Sequence, residues 1–395
     1  MTTKPESRRV VAGVDTHKLT HHTAVLDAAT GKLLGDREFR ATTAGYRQLL
    51  GWLQRHGTVI LVGVEGTGSY GAGLQRHLHG EGITVIEVVR PNRQARRARG
   101  KSDPIDAINA ARAVLSQEAT TVPKDRDGYV EAVRLIRTTR RGAVKARRAT
   151  LAQIHGLLWG APQSLREKLG DYNRAALVAR CARLRIPTNA AADDPAIVAR
   201  RMLRRLAKRI QMLDEEIADA NRELDALLTE HAPTLMAITG VGPEVAGQML
   251  TTAGENADRL TSEAALARLC GVAPIPASSG NTKRHRLHRG GDRAANSAIH
   301  LVVINRLRWH QPTRLYLERR TRDGKTKKEI IRCLKRAVVR ELYRTPDRPR
   351  KVAIHRNRRD LRFGFPGGRG SRLLPWVPPV VRGQGWPKAT RRAWP

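Results

Sequence analysis

A short apolar run that stops at an acid constrains the fold of this chain more than any other stretch. The residues are RVVAGVDTHK, from Arg9 to Lys18, and the apolar part is Val10 to Val14. A short β-branched run of this kind predicts a buried strand. Asp15 then lies at the carboxyl end of that strand, where α/β folds place their binding and catalytic groups. Acids also form caps and turns, so the positions of the other acids must decide between the two interpretations.

Residues 8–120 alternate strand and helix patterns in an order that predicts a small α/β domain. The predicted strands after the first are 21–28, 32–41, 58–65 and 83–89, and the predicted helices are 43–56 and two that begin near residues 74 and 101. The turn at Thr30 and Gly31 indicates an antiparallel hairpin at the start. Parallel crossovers then follow, and this combination is typical of a ribonuclease H-like domain.

Three further acids fall at positions comparable with that of Asp15. Glu65 ends the strand 58–65, and the helix that begins near residue 101 opens with Asp103, Pro104 and Asp106. Asp103 before a proline is a good N-cap, and Asp106 completes a pair that resembles a capping box, so capping is one interpretation of these two acids. Capping does not explain Asp15 and Glu65, which end strands that are neighbours in the predicted plan.

The four acids together predict a metal site. Asp103 and Asp106 are three residues apart and share one helix face. Four carboxylates in one small fold would repel one another strongly unless divalent cations neutralise them. Oxygen ligands suit Mg²⁺ or Mn²⁺, and two such ions can hold the attacking and leaving oxygens of a phosphodiester.

The charge of the whole chain points to a polyanionic partner. Among 395 residues, 73 are Lys or Arg and 36 are Asp or Glu, which gives a formal net charge of +37. Nucleic acid is the polyanion that such an excess favours. With the acidic cluster, this predicts a nuclease or a strand-transfer enzyme. Candidate phosphate contacts beside the acids are His17, Lys18, Ser69 and Tyr70.

The cysteines and the hydropathy pattern bear on the compartment. Cys181, Cys270 and Cys333 lie far apart and form no CxxC pair, which argues against a zinc site or a disulfide framework and fits a reducing cytosol. The start of the sequence has no pattern that predicts a signal peptide, and no apolar run is as long as a membrane span. We therefore expect a cytoplasmic protein, associated with the nucleoid, that has no membrane partner.

Residues 121–232 are expected to form a helical connector. The helical pattern from Tyr129 to about Leu158 is dense in arginine and almost free of acids, and we therefore favour phosphate binding over a solvated face. The arginines proposed as nucleic-acid contacts are Arg137, Arg140, Arg141, Arg147 and Arg148.

A heptad pattern of apolar residues runs through the second half of this connector. Its members are Leu203, Leu206, Ile210, Leu213, Ile217, Ala220, Leu224 and Leu227. Alternating three- and four-residue steps over about four heptads predict a coiled-coil seam. The seam packs either against the arginine-rich helix of the same chain or against a second protomer. We favour the second alternative, which predicts a homo-oligomer.

Residues 233–345 are expected to form a second, mostly helical domain. Leu235 to Leu250 contains a helix, a Gly-Val-Gly turn and another helix, a spacing that fits both a helix-hairpin-helix module, whose turn contacts phosphate, and an ordinary αα-turn. Residues 346–395 are rich in Pro, Gly and Arg and show no sustained period, which predicts a disordered basic arm.

A serine loop lies within this second domain. It reads GVAPIPASSG, from Gly271 to Gly280, and basic residues follow at Lys283, Arg284, Arg286 and Arg289. The prolines stiffen the approach, and Gly280 lets a phosphate come close to Ser279. The basic run can stabilise developing charge, so Ser279 is a candidate nucleophile, with Ser278 beside it as the alternative.

Four motifs together resemble those of the DEDD-type insertion-sequence transposases, the family that also includes the Piv DNA invertases. They are GVDTHK with Asp15, VGVEGTGSYG with Glu65, KSDPIDA with Asp103 and Asp106, and GVAPIPASSG with Ser279. The resemblance covers residues 9 to about 343. It implies a RuvC-like metal site formed by the four acids, a serine nucleophile, and a helical region with a coiled coil between the two domains. It also implies recombination of the protein's own mobile element by a tetramer of paired dimers, guided in some members by a structured RNA.

The residues and the resemblance together predict a serine- and metal-dependent DNA transposase. The expected partners are the DNA of element ends and target, a guide RNA, and further copies of the chain in a dimer or tetramer. Two alternatives stay open. One is a RuvC-like nuclease of the Holliday-junction type, which uses the acids and water without serine chemistry. The other is a non-catalytic nucleic-acid-binding scaffold in which the acids are caps.

Overall fold

Two neighbouring apolar strands that are buried on both faces form the centre of a five-stranded sheet. The computed structural model describes residues 8–88, 102–187, 193–256, 260–278, 280, 285–288 and 290–345. The strands are β1 (Arg9–Thr16), β2 (Thr20–Asp27), β3 (Leu33–Arg40), β4 (Thr58–Glu65) and β5 (Val85–Val88), in the spatial order β3-β2-β1-β4-β5. The first three strands pair antiparallel, whereas β4 is parallel to β1 and β5 is parallel to β4. The predicted strand arrangement is therefore confirmed.

Helices cover both faces of this sheet. They are α1 (Thr43–His56), α2 (Ala72–Gly80) and α3 (Asp103–Leu115). α1 and α2 pack on the face that carries Val10 and Val14, and α3 packs on the opposite face against Val11. α3 lies very close to the strands, because a Cβ atom on Gly13 would come within 2.1 Å of the Ala111 backbone nitrogen.

The described part of the connector has four helices, of which the first and the last are long and lie along each other. Its helices are α4 (Tyr129–Trp159), α5 (Gln163–Leu169), α6 (Arg174–Ala182) and α7 (Pro195–His231). Ile154 of α4 packs with Leu203 and Ile210 of α7 in a core that α5 and α6 complete. The heptad seam is thus occupied within the chain, contrary to the alternative we favoured, because α5 and α6 return the chain beside α4. Leu213 and Ile217 in the middle of the seam are half-buried.

The C-terminal part is mostly helical. Its elements are α8 (Pro233–Met236), α9 (Pro243–Ala253), α10 (Glu263–Leu269), β6 (Pro274–Pro276), β7 (His285–Leu287), α11 (Arg293–Trp309), α12 (Gln311–Arg322) and α13 (Lys327–Arg344). The core of these helices also contains Val130 and Val133 of α4 and Leu224 and Leu228 of α7. The base of the connector therefore belongs to the same core as the C-terminal helices.

The turn predicted within residues 235–250 joins a very short helix to a longer one. α8 has four residues, and the chain then turns at Gly240, whose φ is +82°, before α9 begins. Residues 346–395, for which the sequence predicts a disordered arm, lie outside the described residues. No helix in the described part of the chain combines the length and the apolarity needed to cross a bilayer.

Candidate active site

Two buried carboxylates follow each other across the two central parallel strands. Val14 of β1 is in register with Val64 of β4, so Asp15 and Glu65 come next at the same level. Side chains two residues apart on a strand share a face, and the glycines two positions before these acids face α3. Asp15 and Glu65 therefore lie on the side of the sheet that α3 covers, where they are 7% and 8% exposed.

The first turn of α3 carries the other two acids to the same side of the sheet. Asp103 and Asp106 have the helical spacing that places them on one face with the buried Ala107 and Ala110. Asp106 is 2% exposed, and Asp103 is half-buried. Ser102 is the N-cap residue and makes no side-chain cap hydrogen bond. The interpretation of Asp103 as the N-cap is therefore wrong, although both acids lie at the positive end of the helix dipole.

A histidine joins two of these acids. Nε2 of His17 lies 3.2 Å from Oδ2 of Asp15 and 3.4 Å from Oδ1 of Asp103. One ligand atom from each of the three residues lies within 4.8 Å of the others. Glu65 and Asp106 are outside this group of ligand atoms. We expected His17 to contact phosphate; its position two residues after Asp15, on the same side of an extended chain, was the signal for a role in the acidic site.

The donor atoms fit a divalent cation. Carboxylate oxygens suit Mg²⁺ and Mn²⁺, and an imidazole nitrogen is a ligand of transition metals rather than of Mg²⁺. Two carboxylates and one imidazole therefore form a mixed set that fits Mn²⁺ at least as well as Mg²⁺.

The loop after Glu65 is short and internally bonded. The carbonyl oxygen of Gly66, a residue with φ of +60°, accepts hydrogen bonds from the backbone nitrogens of Ser69 and Gly71 at 2.8 and 3.1 Å. Oγ1 of Thr16 donates to the carbonyl oxygen of Glu65 at 3.0 Å, which ties the ends of β1 and β4 together. Ser69, Tyr70 and Lys18, three of the predicted phosphate contacts, are exposed around this edge.

The serine loop has a fixed base. A Cβ atom on Gly291 would come within 2.1 Å of the Gly271 nitrogen, so the backbone at the start of the serine loop touches the backbone just before α11. Nδ2 of Asn296 donates to the carbonyl oxygens of Cys270 and Gly271 at 3.1 and 2.9 Å, and Nζ of Lys335 donates to Oδ1 of Asn296 at 2.7 Å. Arg286 is exposed on β7. Ser279, Lys283, Arg284 and Arg289 lie outside the described residues.

Four of the five connector arginines proposed as nucleic-acid contacts have hydrogen-bond partners within the chain. Nη2 of Arg137, a side chain 3% exposed, donates to Glu244 at 2.8 Å and to Gln248 at 2.9 Å, and burial lowers the pKa of Arg137. Arg140 donates to Asn221, Arg141 to Gln248, and Arg147 to Asp214. Phosphate binding by these arginines stays a prediction, and Arg137 itself is buried against an acidic partner from a helix far along the chain. Arg148 is exposed.

Two family profiles match the chain, one on each side of the connector. Residues 12–161 match a transposase family of the DEDD type named for IS110, and residues 232–318 match the IS116/IS110/IS902 transposase family. The chain carries transposase domains of the IS110/IS116/IS902 family. The first transposase domain contains all four acids, and the second contains the serine loop.

A relative supports the same assignment. The chain is 29% identical over 156 residues to the 42 kDa protein of insertion element IS900 from Mycobacterium paratuberculosis. The match covers 37% of this chain and 37% of that protein, so the chain spans about a third of the curated relative that it matches. The similarity to a protein of an insertion element agrees with the two family matches at residues 12–161 and 232–318.

Proposed function

We propose that the chain is a DNA transposase of an insertion sequence, and that Asp15, Glu65, Asp103 and Asp106 form its metal-dependent site. The observation that carries the proposal is the placement of four acids from three elements on one side of the sheet. Three of them are at most 8% exposed. Burial of like charges is costly unless a cation compensates them. The sheet order, with an antiparallel start and parallel crossovers, supports a ribonuclease H-like domain around this site.

The residues that would hold the metal are the four acids, with His17 as an additional ligand. Bound Mg²⁺ or Mn²⁺ would neutralise the scissile phosphate and the charge that develops on its oxygens. The chain's own contribution is to fix the carboxylates: α3 holds Asp106 against the sheet, and the bond from Thr16 to Glu65 holds the two strand ends together. Nε2 of His17, which lies beside both Asp15 and Asp103, would be the ligand atom of the imidazole.

Ser279 is the nucleophile that we propose for strand cleavage. Its Oγ forms a bond to phosphorus as the phosphodiester bond to one DNA oxygen breaks. The serine hydroxyl loses its proton, and the departing DNA oxygen gains one. Because one phosphodiester bond replaces another, the protein–DNA link preserves the bond energy for rejoining. The family resemblance supports this role. Gly280 supports it as well, because its φ of +52° is a conformation that glycine adopts readily, and the lack of a side chain lets a phosphate approach.

Nucleic acid is the partner that the charge supports. Lys18, Arg148 and Arg286 are exposed, and Arg140, Arg141 and Arg147 present the unburied parts of their side chains. A guide RNA, DNA of the element ends and a homo-oligomer of two or four copies are carried over from the family resemblance. The formal net charge of +37 supports a polyanion of either kind.

Trapping a covalent adduct tests this function. Full-length protein is incubated with Mg²⁺ or Mn²⁺, the RNA that co-purifies with it and a plasmid that carries the DNA flanking its coding sequence. The transposase proposal predicts a protein–DNA adduct that disappears with EDTA, in Asp106→Asn and in Ser279→Ala, and that persists in Ser278→Ala. Metal-dependent cleavage without an adduct would indicate the nuclease alternative. Binding without cleavage in any of these samples would indicate the scaffold.

A further inference from the structure

Arg126, in the linker between α3 and α4, has a backbone conformation that arginine rarely adopts. Its φ is +57°, and Gln117 is the other non-glycine residue with a positive φ in the described part of the chain. Such a conformation is strained for a residue with a Cβ atom and persists where surrounding contacts determine it. The contacts of Arg126 therefore indicate what the strain maintains.

The side chain of Arg126 reaches the loop that follows Glu65. Its Nη1 donates to the carbonyl oxygen of Gly68 at 3.0 Å. The guanidinium lies close to the Gly68 backbone, because a Cβ atom on Gly68 would come within 2.9 Å of Nη2 of the same arginine. Gly68 lies within residues 66–71, whose two backbone hydrogen bonds to Gly66 make the loop a single small unit.

The backbone around Arg126 is fixed to the second transposase domain. The Arg126 nitrogen donates to Oε2 of Glu255 at 3.3 Å, and Glu255 is 6% exposed just after α9. Nζ of Lys124 donates to the carbonyl oxygen of Thr251 at 2.6 Å. Nδ2 of Asn256 donates to the carbonyl oxygen of Pro123 at 2.7 Å. These hydrogen bonds attach the linker to the end of α9.

The same loop is connected to the acids. Gly66 directly follows Glu65, and the Glu65 carbonyl oxygen accepts from Thr16, the neighbour of Asp15. A shift of Gly68 must therefore be absorbed within a few residues of two of the four carboxylates. Groups that orient metal ligands from outside typically change metal affinity by about 10- to 100-fold when they are lost.

We propose that Arg126 is a positioning residue that couples the acidic site of the first transposase domain to the end of α9 in the second. The guanidinium holds residues 66–71, and with them Glu65, while Glu255 holds the Arg126 backbone. The inference rests on the proposed metal site for its consequence, because the coupling sets the affinity of that site for a divalent cation. It assigns to Arg126 no contact with substrate.

Four variants of the full-length protein separate the side chain from the backbone. Arg126→Gln removes the guanidinium, and Arg126→Lys keeps a donor that can rescue part of the bond to Gly68. Arg126→Gly removes the side chain but relaxes the strained φ, so its melting temperature without metal should match or exceed that of the wild type. Arg134→Gln is the matched control, because Arg134 lies nearby on α4 and donates to Glu131 of its own helix.

Two measurements are made on each variant. Hydrogen exchange reports on the backbone amides of residues 66–71, and the rise of melting temperature with Mn²⁺ reports on metal affinity. We expect Arg126→Gln and Arg126→Gly to exchange faster in 66–71 and to need about tenfold more Mn²⁺ for half of the rise. Arg126→Lys should be intermediate, and Arg134→Gln should match the wild type in both.

The outcomes distinguish this inference from the proposed metal site. Wild-type exchange of 66–71 in Arg126→Gln and Arg126→Gly would overturn the coupling, and so would an unchanged Mn²⁺ midpoint. Faster exchange throughout the protein, together with a lower melting temperature in Arg126→Gly, would also overturn the coupling, because it would indicate a general loss of packing. If Mn²⁺ fails to stabilise even the wild type, the proposed metal site is wrong, and so is the effect of Arg126 on metal affinity. The hydrogen exchange of residues 66–71 would still test whether Arg126 holds the loop through Gly68.

Discussion

The acidic edge of the first domain and the arginine-rich helix α4 are both dense in one charge, but they are built differently. The acids come from the ends of β1 and β4 and the start of α3, and backbone geometry alone brings them to one side of the sheet. The arginines lie along one helix, and their surroundings depend on side chains of α7 and α9. Glu244 pairs with Arg137 and Arg140, and Asp214 pairs with Arg147.

This difference separates the proposed acidic site from a group of charges that links helices of the same chain. The partners of Arg137 and Arg147 are 107 and 67 residues away in the chain, so the scarcity of acids on α4 itself did not indicate free charge. The described contacts of Asp15 and Asp103, in contrast, meet in one histidine that is itself part of the site. Local sequence composition is therefore a poor guide to pairing, whereas position at a strand end is a good guide to convergence.

Removal of one acid should have the largest effect. Asp106→Asn is expected to lower strand cleavage by about 10³-fold or more, because metal-supported stabilisation of the transition state amounts to several kcal/mol. Nucleic-acid affinity should stay within about twofold, since Lys and Arg supply it. Plasmid cleavage and a binding titration measure the two effects.

Glu38→Gln, at an exposed acid on β3 of the same sheet, is the control and should retain full cleavage. Cleavage that survives in Asp106→Asn, together with a lower melting temperature, would assign the acid a structural role only.

Removal of a buried arginine should test whether the arginines of α4 hold helices of the same chain together. Arg137→Gln leaves Glu244 without this partner and is expected to lower the free energy of unfolding by about 2–4 kcal/mol. Arg148→Gln, on the same helix but exposed, should change it by less than about 0.5 kcal/mol. Urea denaturation measures both.

The two arginines should also differ in nucleic-acid binding. Arg148→Gln is expected to reduce the slope of log affinity against log salt by about one, as for the loss of one phosphate contact. A stable Arg137→Gln protein that shows the same loss of slope would mean that Arg137 contacts nucleic acid after all.

The close approach of α3 to the sheet should be sensitive to a single methyl group. In Gly13→Ala the new Cβ would meet backbone atoms of α3 at 2.1 and 2.2 Å, and the free energy of unfolding should fall by about 1–3 kcal/mol or more. Gly51→Ala on α1 adds its methyl group where no atom lies within 4 Å and should raise stability by about 0.5–1 kcal/mol. Equal melting temperatures for the two variants would show that α3 does not lie on β1.

The smallest expected effect is a difference in the alkylation rates of the three cysteines, which tests the packing of the two helical cores. Burial raises the pKa of the Cys181 thiol to about 11 and that of Cys270 to about 12, so little thiolate forms at neutral pH. Cys333 is exposed. Iodoacetamide should therefore modify Cys333 at least about tenfold faster than the other two. Mass spectrometry of the native protein would contradict the packing of either core if Cys181 or Cys270 reacted at the rate of Cys333.

The sheet and the acids were predictable because short-range rules determine them. A short apolar run with an acid at its end, such as the one that ends at Glu65, specifies both the strand and the position of its last side chain. In the helix that starts at Asp103, the proline marks the first turn, and the alanines that follow show which face of the helix packs against the sheet. The contact between His17 and Asp103 was not predictable from the sequence, because Asp103 comes from another element.

The helical half was less predictable for the same reason. The heptad pattern of α7 correctly indicated an apolar seam, but the pattern is equally compatible with a helix of the same chain and with a second protomer. Only the return of the chain through α5 and α6 selects α4 as the neighbour. Arg126 carried no sequence signal, because a positive φ at arginine arises from tertiary contacts and not from local propensity.

Anomalous scattering from Mn²⁺ in crystals of the full-length protein tests the central claim most directly. The account predicts a peak bonded to oxygens of both Asp15 and Asp103, within about 2.5 Å of each, on the side of the sheet that α3 covers. The peak should be lost in Asp15→Asn crystals soaked in the same way. An absence of any peak at saturating Mn²⁺, with His17 still bridging the two carboxylates, would contradict a metal-dependent site at this edge.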